Sequence, residues 1–433
     1  MTTDEQAARG KERLLVPGEP AKLPEFLPGL RADGDPVARE DLRKAVRRSA
    51  ETAADILGFL RKPAADQPSW LRELLDEWVQ RGPDLPSWYD PELMAAGQRF
   101  FDQWDLEICT ALFAASLPSA YAGWQGVGVL ARASELAEQE TVARRIAETG
   151  QMLLDITQLG ALERGGAGYR RIVRTRLLHA AVRAVLLGPD APGGTWPAAD
   201  GIPVNQQDLL ATLATFTVMV FRALNRMGVV VSVAEQEAYL HLWTVVGELL
   251  GIREATRMWK PQEAQNLTTH LQESLQAPSA DGAFLMSVLL DEMEFAMPLG
   301  WLRIPRTLVR FLVGDRVADM LAVPKSAWWT PALGVTAGLS KRVNRLPFAR
   351  RIGMLPAQLV GRRMIELWID ENQRGERGPF SITAEQRRRW HIAADEAAQP
   401  TLRKRLRARR QRLRKQHARV PRTPSAPHAG AQP

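Results

Sequence analysis

The sequence predicts an all-α protein. Apolar residues recur at three- and four-residue spacing along most of its 433 residues, alternating strand patterns are almost absent, and Gly and Pro punctuate the helical runs. A composition of 45% hydrophobic and 24% charged residues allows a large buried core. No repeat of fixed period is present, which argues against a solenoid. Nothing between residues 35 and 385 reads as a long flexible linker, so one helical domain over 35–385 is expected. An N-terminal arm, 1–34, precedes it and a basic, partly disordered tail, 386–433, follows.

The spacing predicts helices over about 38–61, 91–115, 121–138, 139–159, 169–187, 206–227, 233–251, 261–276, 280–295 and 304–322. Gly160 to Gly168, the loop from Gly188 to Pro203, Gly228, Gly251 and Pro298 separate them. Between Ile108 and Ala131 no residue is charged, and the stretch is long enough to cross a bilayer. Pro118, Ser116, Ser119, Gln125 and several glycines make it a poor membrane helix, and two buried helical pieces joined by a turn at Ser116-Leu117-Pro118 are expected instead.

Charge narrows the function classes. Eleven of the Lys and Arg residues fall between Arg403 and Arg422 with no acid among them, so the net +8 leaves about −3 for the remainder. The basic character therefore belongs to the tail. Its leucines, Leu402, Leu406 and Leu413, suit a basic helix that docks on an anionic membrane surface through residues 402–422. Such a tail can equally touch nucleic acid non-specifically or stay solvated, and no specific nucleic-acid contact is predicted. The lone Cys109 excludes an intramolecular disulfide framework, an iron-sulfur cluster and a cysteine zinc site. The N-terminal residues contain no apolar run of secretory type, so a cytoplasmic location is expected, at most peripheral to the inner membrane face.

Three segments carry candidate chemistry. In Tyr169 to Leu187, Arg176 precedes His179 by three residues and Arg183 follows it by four, which gathers all three on one helix face. Flanking cations oppose imidazole protonation and favour the neutral form that a metal ligand needs, and arginines there suit a cofactor that carries carboxylates. Taken alone, such spacing is commoner in helices whose arginines are solvated and whose histidine packs in the core.

In Ala143 to Thr157, Arg145 and Thr149 stand one turn apart with Leu153 continuing the stripe. The pair can orient dioxygen or stabilise a developing anion, or can be an exposed Arg with a Thr bonded to its own helix. The third segment, Pro203 to Ile252, begins with a cap at Asn205 and predicts a central helix. Phe216, Met219 and Phe221 there can line a flat apolar cofactor or form plain core. His241, two residues before Trp243, is a second candidate ligand whose plainer reading is a satisfied core histidine.

These residues resemble the haem-dependent oxygenase family of the latex clearing proteins (rubber oxygenases) and the MpaB-type oxygenases. The resemblance rests on Arg145-x-x-x-Thr149, on Arg176-x-x-His179-x-x-x-Arg183, on Asn205-Gln206-Gln207-Asp208-Leu209-Leu210, on Glu237-Ala238-Tyr239 through Trp243 to Gly251-Ile252, and on Ser116 to Ala122, across about residues 85–325. It implies a globin-like helical core with additional helices, a b-type haem, and His179 as the proximal iron ligand. It further implies Arg145 and Thr149 in the distal pocket and Arg176 and Arg183 as holders of the haem. The implied substrates are dioxygen and an apolar, unsaturated or isoprenoid molecule.

The sequence departs from the family pattern in two ways. Rubber oxygenases resemble one another in a lysine just before the distal threonine, where this chain has Glu148, which can act as a base or face solvent. They are also typically exported, whereas a cytoplasmic location is expected here, so polyisoprene is not the expected substrate. A catalytic glutamate upstream of the distal arginine has Glu135, Glu138 and Glu140 as candidates. The competing reading is a non-catalytic helical protein that binds haem or docks on membranes.

Overall fold

A computed structural model describes residues 27–325, apart from 61–65, 136–141, 190, 192–193 and 297–303. The chain divides into two units, Met1–Phe380 and Ser381–Pro433, of which the second lies outside the described residues together with the whole basic tail.

The described residues form helices and loops with a single isolated β-bridge, Gly123 to Gln276. In order the helices are α1 (Leu27–Leu30), α2 (Pro36–Ser49), α3 (Ala53–Leu60), α4 (Ser69–Arg81), α5 (Pro91–Gln103), α6 (Asp105–Ala111) and α7 (Leu117–Tyr121). They continue as α8 (Val127–Glu135), α9 (Val142–Thr157), α10 (Ala167–Leu186), α11 (Gln206–Phe216), α12 (Val218–Arg226) and α13 (Val233–Leu249). The last are α14 (Pro261–Leu275), α15 (Ala280–Ala296), α16 (Ile304–Val313) and α17 (Asp315–Met320). The predicted all-α class is what the structure shows.

Caps explain several starts. Asp35 accepts from the Ala38 amide at the head of α2, and Asp90 does so for α5. Asn205 accepts from the Asp208 amide to start α11, and Ser232 with Glu235 forms a capping box on α13.

Breaks were harder to foresee. The predicted 38–61 helix is two helices, because Ala50 takes a left-handed conformation (φ 60°) in which its amide reaches the Val46 carbonyl. Helix 206–227 breaks at Thr217 (φ −117°, ψ −88°), and helix 304–322 breaks at Gly314 (φ 85°). Helix α4 was not among the predicted elements, although Leu71, Leu74 and Val79 give it a buried stripe.

The expected turn at Ser116-Leu117-Pro118 is not a turn. The helix runs on through a π-helical segment, Leu112–Ser116, into α7, with Pro118 in the first turn of α7. A proline inside an α-helix lacks one donor and crowds the carbonyl four residues earlier, and the wider π turn relieves that crowding. The Leu117 amide donates to the Leu112 carbonyl, five residues back. Burial of the segment is as expected, with Ile108, Cys109, Ala111 and Phe113 in the core. Among the described residues only Gln206–Arg226 is long and apolar enough to cross a membrane, and most of it is buried inside the protein.

Two close helix approaches organise the core. At Gly97 a Cβ would stand 2.4 Å from the Ala238 carbonyl oxygen, so only glycine lets α5 lie this near α13. At Gly168 a Cβ would stand 2.9 Å from the Ile156 Cα, which brings α10 against α9. Helix α10 is then covered on one side by α2, α3 and α4, where Leu42, Ile56, Leu57, Leu60, Leu71 and Leu74 pack against Leu177, Ala180, Ala181 and Leu186.

Candidate cofactor and substrate cavity

The other side of α10 forms a wall of a cavity of about 730 Å³, within the roughly 300–1,000 Å³ of small-molecule sites. The residues of α10 that border it are Arg171, Arg174, Thr175, Leu178, His179 and Val182. Helix α9 contributes Glu148, Thr149 and Met152, and the α11–α12 pair contributes Asp208, Thr212, Phe216 and Met219. The π segment supplies Leu112, Phe113 and Ser116, and Trp243 and Leu271 extend the apolar part.

Irregular backbone meets irregular backbone at this wall. The Ser116 hydroxyl donates to the Thr215 carbonyl (2.6 Å), beside the break at Thr217. The π segment and the break thus pin each other where both border the cavity. Trp243 stacks on Phe216 with ring centroids 4.5 Å apart.

His179 is half-buried, because protein encloses it while its remaining accessible surface borders the cavity. No hydrogen bond reaches its ring among the described residues. Burial, followed by the charge of Arg183, lowers its pKa from 6.5 to about 4, with Asp35 pulling weakly the other way. At neutral pH the imidazole is therefore uncharged, with a lone pair available. Desolvation, rather than the flanking cations expected from the sequence, is the larger cause of neutrality.

Arg176 and Arg183 do not border the cavity. Arg176 donates to both oxygens of Asp35 (2.6 and 3.1 Å). Arg183 is buried and donates to the carbonyls of Pro203 (3.1 Å) and Val204 (2.8 Å), while its Nη1 has no partner among the described residues. At about 100° per residue the two arginines lie on the stripe next to the cavity-facing one, with His179 on the boundary between them. Among the described residues the arginines that do border the cavity are Arg171, paired with Asp155 (2.8 Å), Arg174, bonded to the Leu60 carbonyl, and Arg31. Arg31 reaches Asp208 (2.8 Å), Gln207 (3.0 Å) and the Asp200 carbonyl (2.9 Å).

The segment ending the predicted N-terminal arm is thus part of the structure around the cavity. Besides Arg31, its Asp33 carbonyl accepts from the Gln206 amide (2.9 Å) and its Gly34 carbonyl from the Gln206 side chain (3.0 Å). No pattern in residues 29–34 signals this, because the partners are polar groups scattered over distant helices.

Thr149 is exposed and Glu148 half-buried, and both border the cavity. Arg145 stands one turn earlier on α9; its side chain, that of Glu135, and Glu138 and Glu140 altogether lie outside the described residues. Phe216 and Met219 line the cavity, whereas Phe221 packs in the core against Phe100 and Tyr239. His241 is a core histidine: its Nε2 accepts from the Asp90 amide (3.1 Å) and the ring sits against Trp88 and Trp259. Cys109 is buried, and burial with Asp105 and Glu107 raises its thiol pKa well above the usual range. Among the described residues no group of three or more His, Cys, Asp or Glu could hold a metal ion.

The family described as "ER-bound oxygenase mpaB/B'/Rubber oxygenase, catalytic domain" matches residues 106–345. A rubber oxygenase of Streptomyces sp. (strain K30) is 27% identical over 267 residues, which span 60% of this chain and 62% of that protein. The chain thus matches about three fifths of this curated relative's length. Among solved structures, a latex clearing protein in the closed state matches with a TM-score of 0.60 at 23% identity, over 78% of this chain and 91% of that one.

Proposed function

Because the chain belongs to the catalytic-domain family of the MpaB and rubber oxygenases, we propose that it is a haem b-dependent oxygenase. It activates dioxygen to oxidise or cleave an apolar, unsaturated or isoprenoid substrate. The observation that carries this reading is His179: a neutral imidazole, without a hydrogen bond among the described residues, at the wall of a largely apolar 730 Å³ cavity. A ring of this kind would be able to hold a haem iron.

The remaining residues fit the same group. A haem brings two carboxylates into an otherwise apolar site. The cavity-facing Arg171 and Arg174 provide cations for them, while Arg176 and Arg183 add positive charge behind the wall. When bound, the haem supplies the activation of dioxygen.

This chain's own residues do the rest. His179 would hold the iron from α10, and the apolar wall of Leu112, Phe113, Phe216, Met219 and Trp243 excludes water and orients a hydrocarbon chain. From α9, Thr149 offers a hydroxyl to orient dioxygen, with Arg145 one turn away as its partner in that role. Glu148 offers a carboxylate that accepts a proton from the substrate. The expected location is cytoplasmic, with residues 402–422 resting on an anionic membrane surface where apolar substrates collect.

Turnover tests the reading. Purified haem-loaded protein, given a short isoprenoid under isotopically labelled dioxygen, incorporates label into the oxidised product, with carbonyl ends if a double bond is cut. Label that enters only from water, or no oxygen uptake with any prenyl or unsaturated lipid, contradicts it.

A further inference from the structure

Asp35 lies outside the segment matched by the family, on the strap that leads into α2. Its carboxylate is buried, fixed by the Ala38 amide (3.0 Å), and paired with Arg176 through two hydrogen bonds. Although burial pushes its carboxyl up, the bonds and charge of Arg176 hold it below the usual carboxylate range, so it is an anion.

The groups it faces are cationic. Arg176 stands three residues before His179, and Arg183 stands four after it, with no carboxylate bonded to it among the described residues. Gly34, beside Asp35, lets the Arg183 guanidinium pass: a Cβ there would meet its Nε at 3.1 Å. The strap therefore brings one negative charge beside two positive charges that flank the candidate ligand, Arg183 buried and Arg176 half-buried. In a medium of low dielectric such charges act strongly on a neighbouring ion.

Resting on the haem reading above, we propose that Asp35 is a positioning residue that balances Arg176 and Arg183 behind His179 and thereby stabilises the ferric over the ferrous state of the bound haem. The ferric form carries one more positive charge, so a nearby anion favours it and a nearby cation disfavours it. Loss of the anion raises the reduction potential, and loss of the cation lowers it.

The two charges can be removed one at a time from the same ion pair, which separates electrostatics from mere bracing. Redox titration of the haem-loaded full chain is the measurement. In Asp35→Asn the ferrous-to-ferric ratio at fixed poise rises about tenfold, a shift of ~59 mV for one electron. In Arg176→Gln it falls, and Asp35→Glu stays close to the wild type. If the ion pair only braced the strap, both single variants would shift the same way.

Shifts of the same sign, or no shift in Asp35→Asn, overturn the proposal. Should Asp35→Asn not accumulate as folded protein, Arg176→Gln decides alone: a fall supports the proposal, and no change or a rise overturns it. A folded wild type that takes up no haem overturns the functional reading itself, whereas same-sign shifts in loaded protein overturn only the role of Asp35.

Discussion

At the scale of single residues, His179 combines a lone pair with an environment that resists protonation, and this has a consequence for stability. Its pKa falls from 6.5 in the unfolded chain to about 4 in the fold. Between those values the unfolded chain binds more protons, so folding stability rises with pH across the window and is lost as pH falls through it. At ~1.4 kcal/mol per pH unit the neutral ring contributes at most about 3 kcal/mol, and less where water enters the cavity. The urea midpoint of haem-free protein should therefore drop between pH 6.5 and 4, and His179→Gln should remove that part of the drop. An identical pH profile in the variant contradicts the assignment.

How much of the site the sequence carried also differs residue by residue. His179, Thr149, Glu148, Phe216 and Met219 are identifiable in the sequence and border the cavity. Spacing placed Arg176 and Arg183 on the histidine's face, but a helix face is broad. The structure turns them toward Asp35 and the carbonyls of Pro203 and Val204. Arg171 and Arg174 hold the cavity-facing positions, and Arg31 arrives from residues whose partners are more than a hundred positions away.

At the scale of elements, the helical period located the helices well because each has a buried stripe, and it missed their interruptions because these are tertiary. Ala50 adopts a conformation usually given to glycine, and Thr217 breaks a helix that has no Gly or Pro there. Pro118 advertised a break that the π segment absorbs. What positions the cavity is the contact of α9 with α10 at Gly168, where a Cβ would press on Ile156 and on the Asp155 carbonyl. Gly168→Ala should cost about 1–3 kcal/mol of stability. It should also weaken haem retention, because the walls bearing Thr149 and His179 are forced apart; a thermal melt and a haem titration read the two effects. Unchanged retention would show that the cavity does not depend on this approach.

At the scale of the molecule, the site draws on widely separated parts of the described chain: a strap at residues 31–35, the central helices, and α14. The family match begins at residue 106, yet Arg31 borders the cavity and Asp35 sits behind its histidine. The basic tail belongs to the other unit of the chain. Removing residues 386–433 should leave haem content and turnover of a soluble substrate unchanged while reducing sedimentation with anionic vesicles. Loss of haem on that truncation would place the tail in the site.

An absorption spectrum tests the proposed role of His179 as the haem ligand most directly. Full-length protein produced with haem available should show a strong Soret band that responds to dithionite and carbon monoxide, and His179→Ala should lose most of it while remaining folded. A folded wild type without a Soret band, or a His179→Ala variant that keeps the full band, would contradict the account.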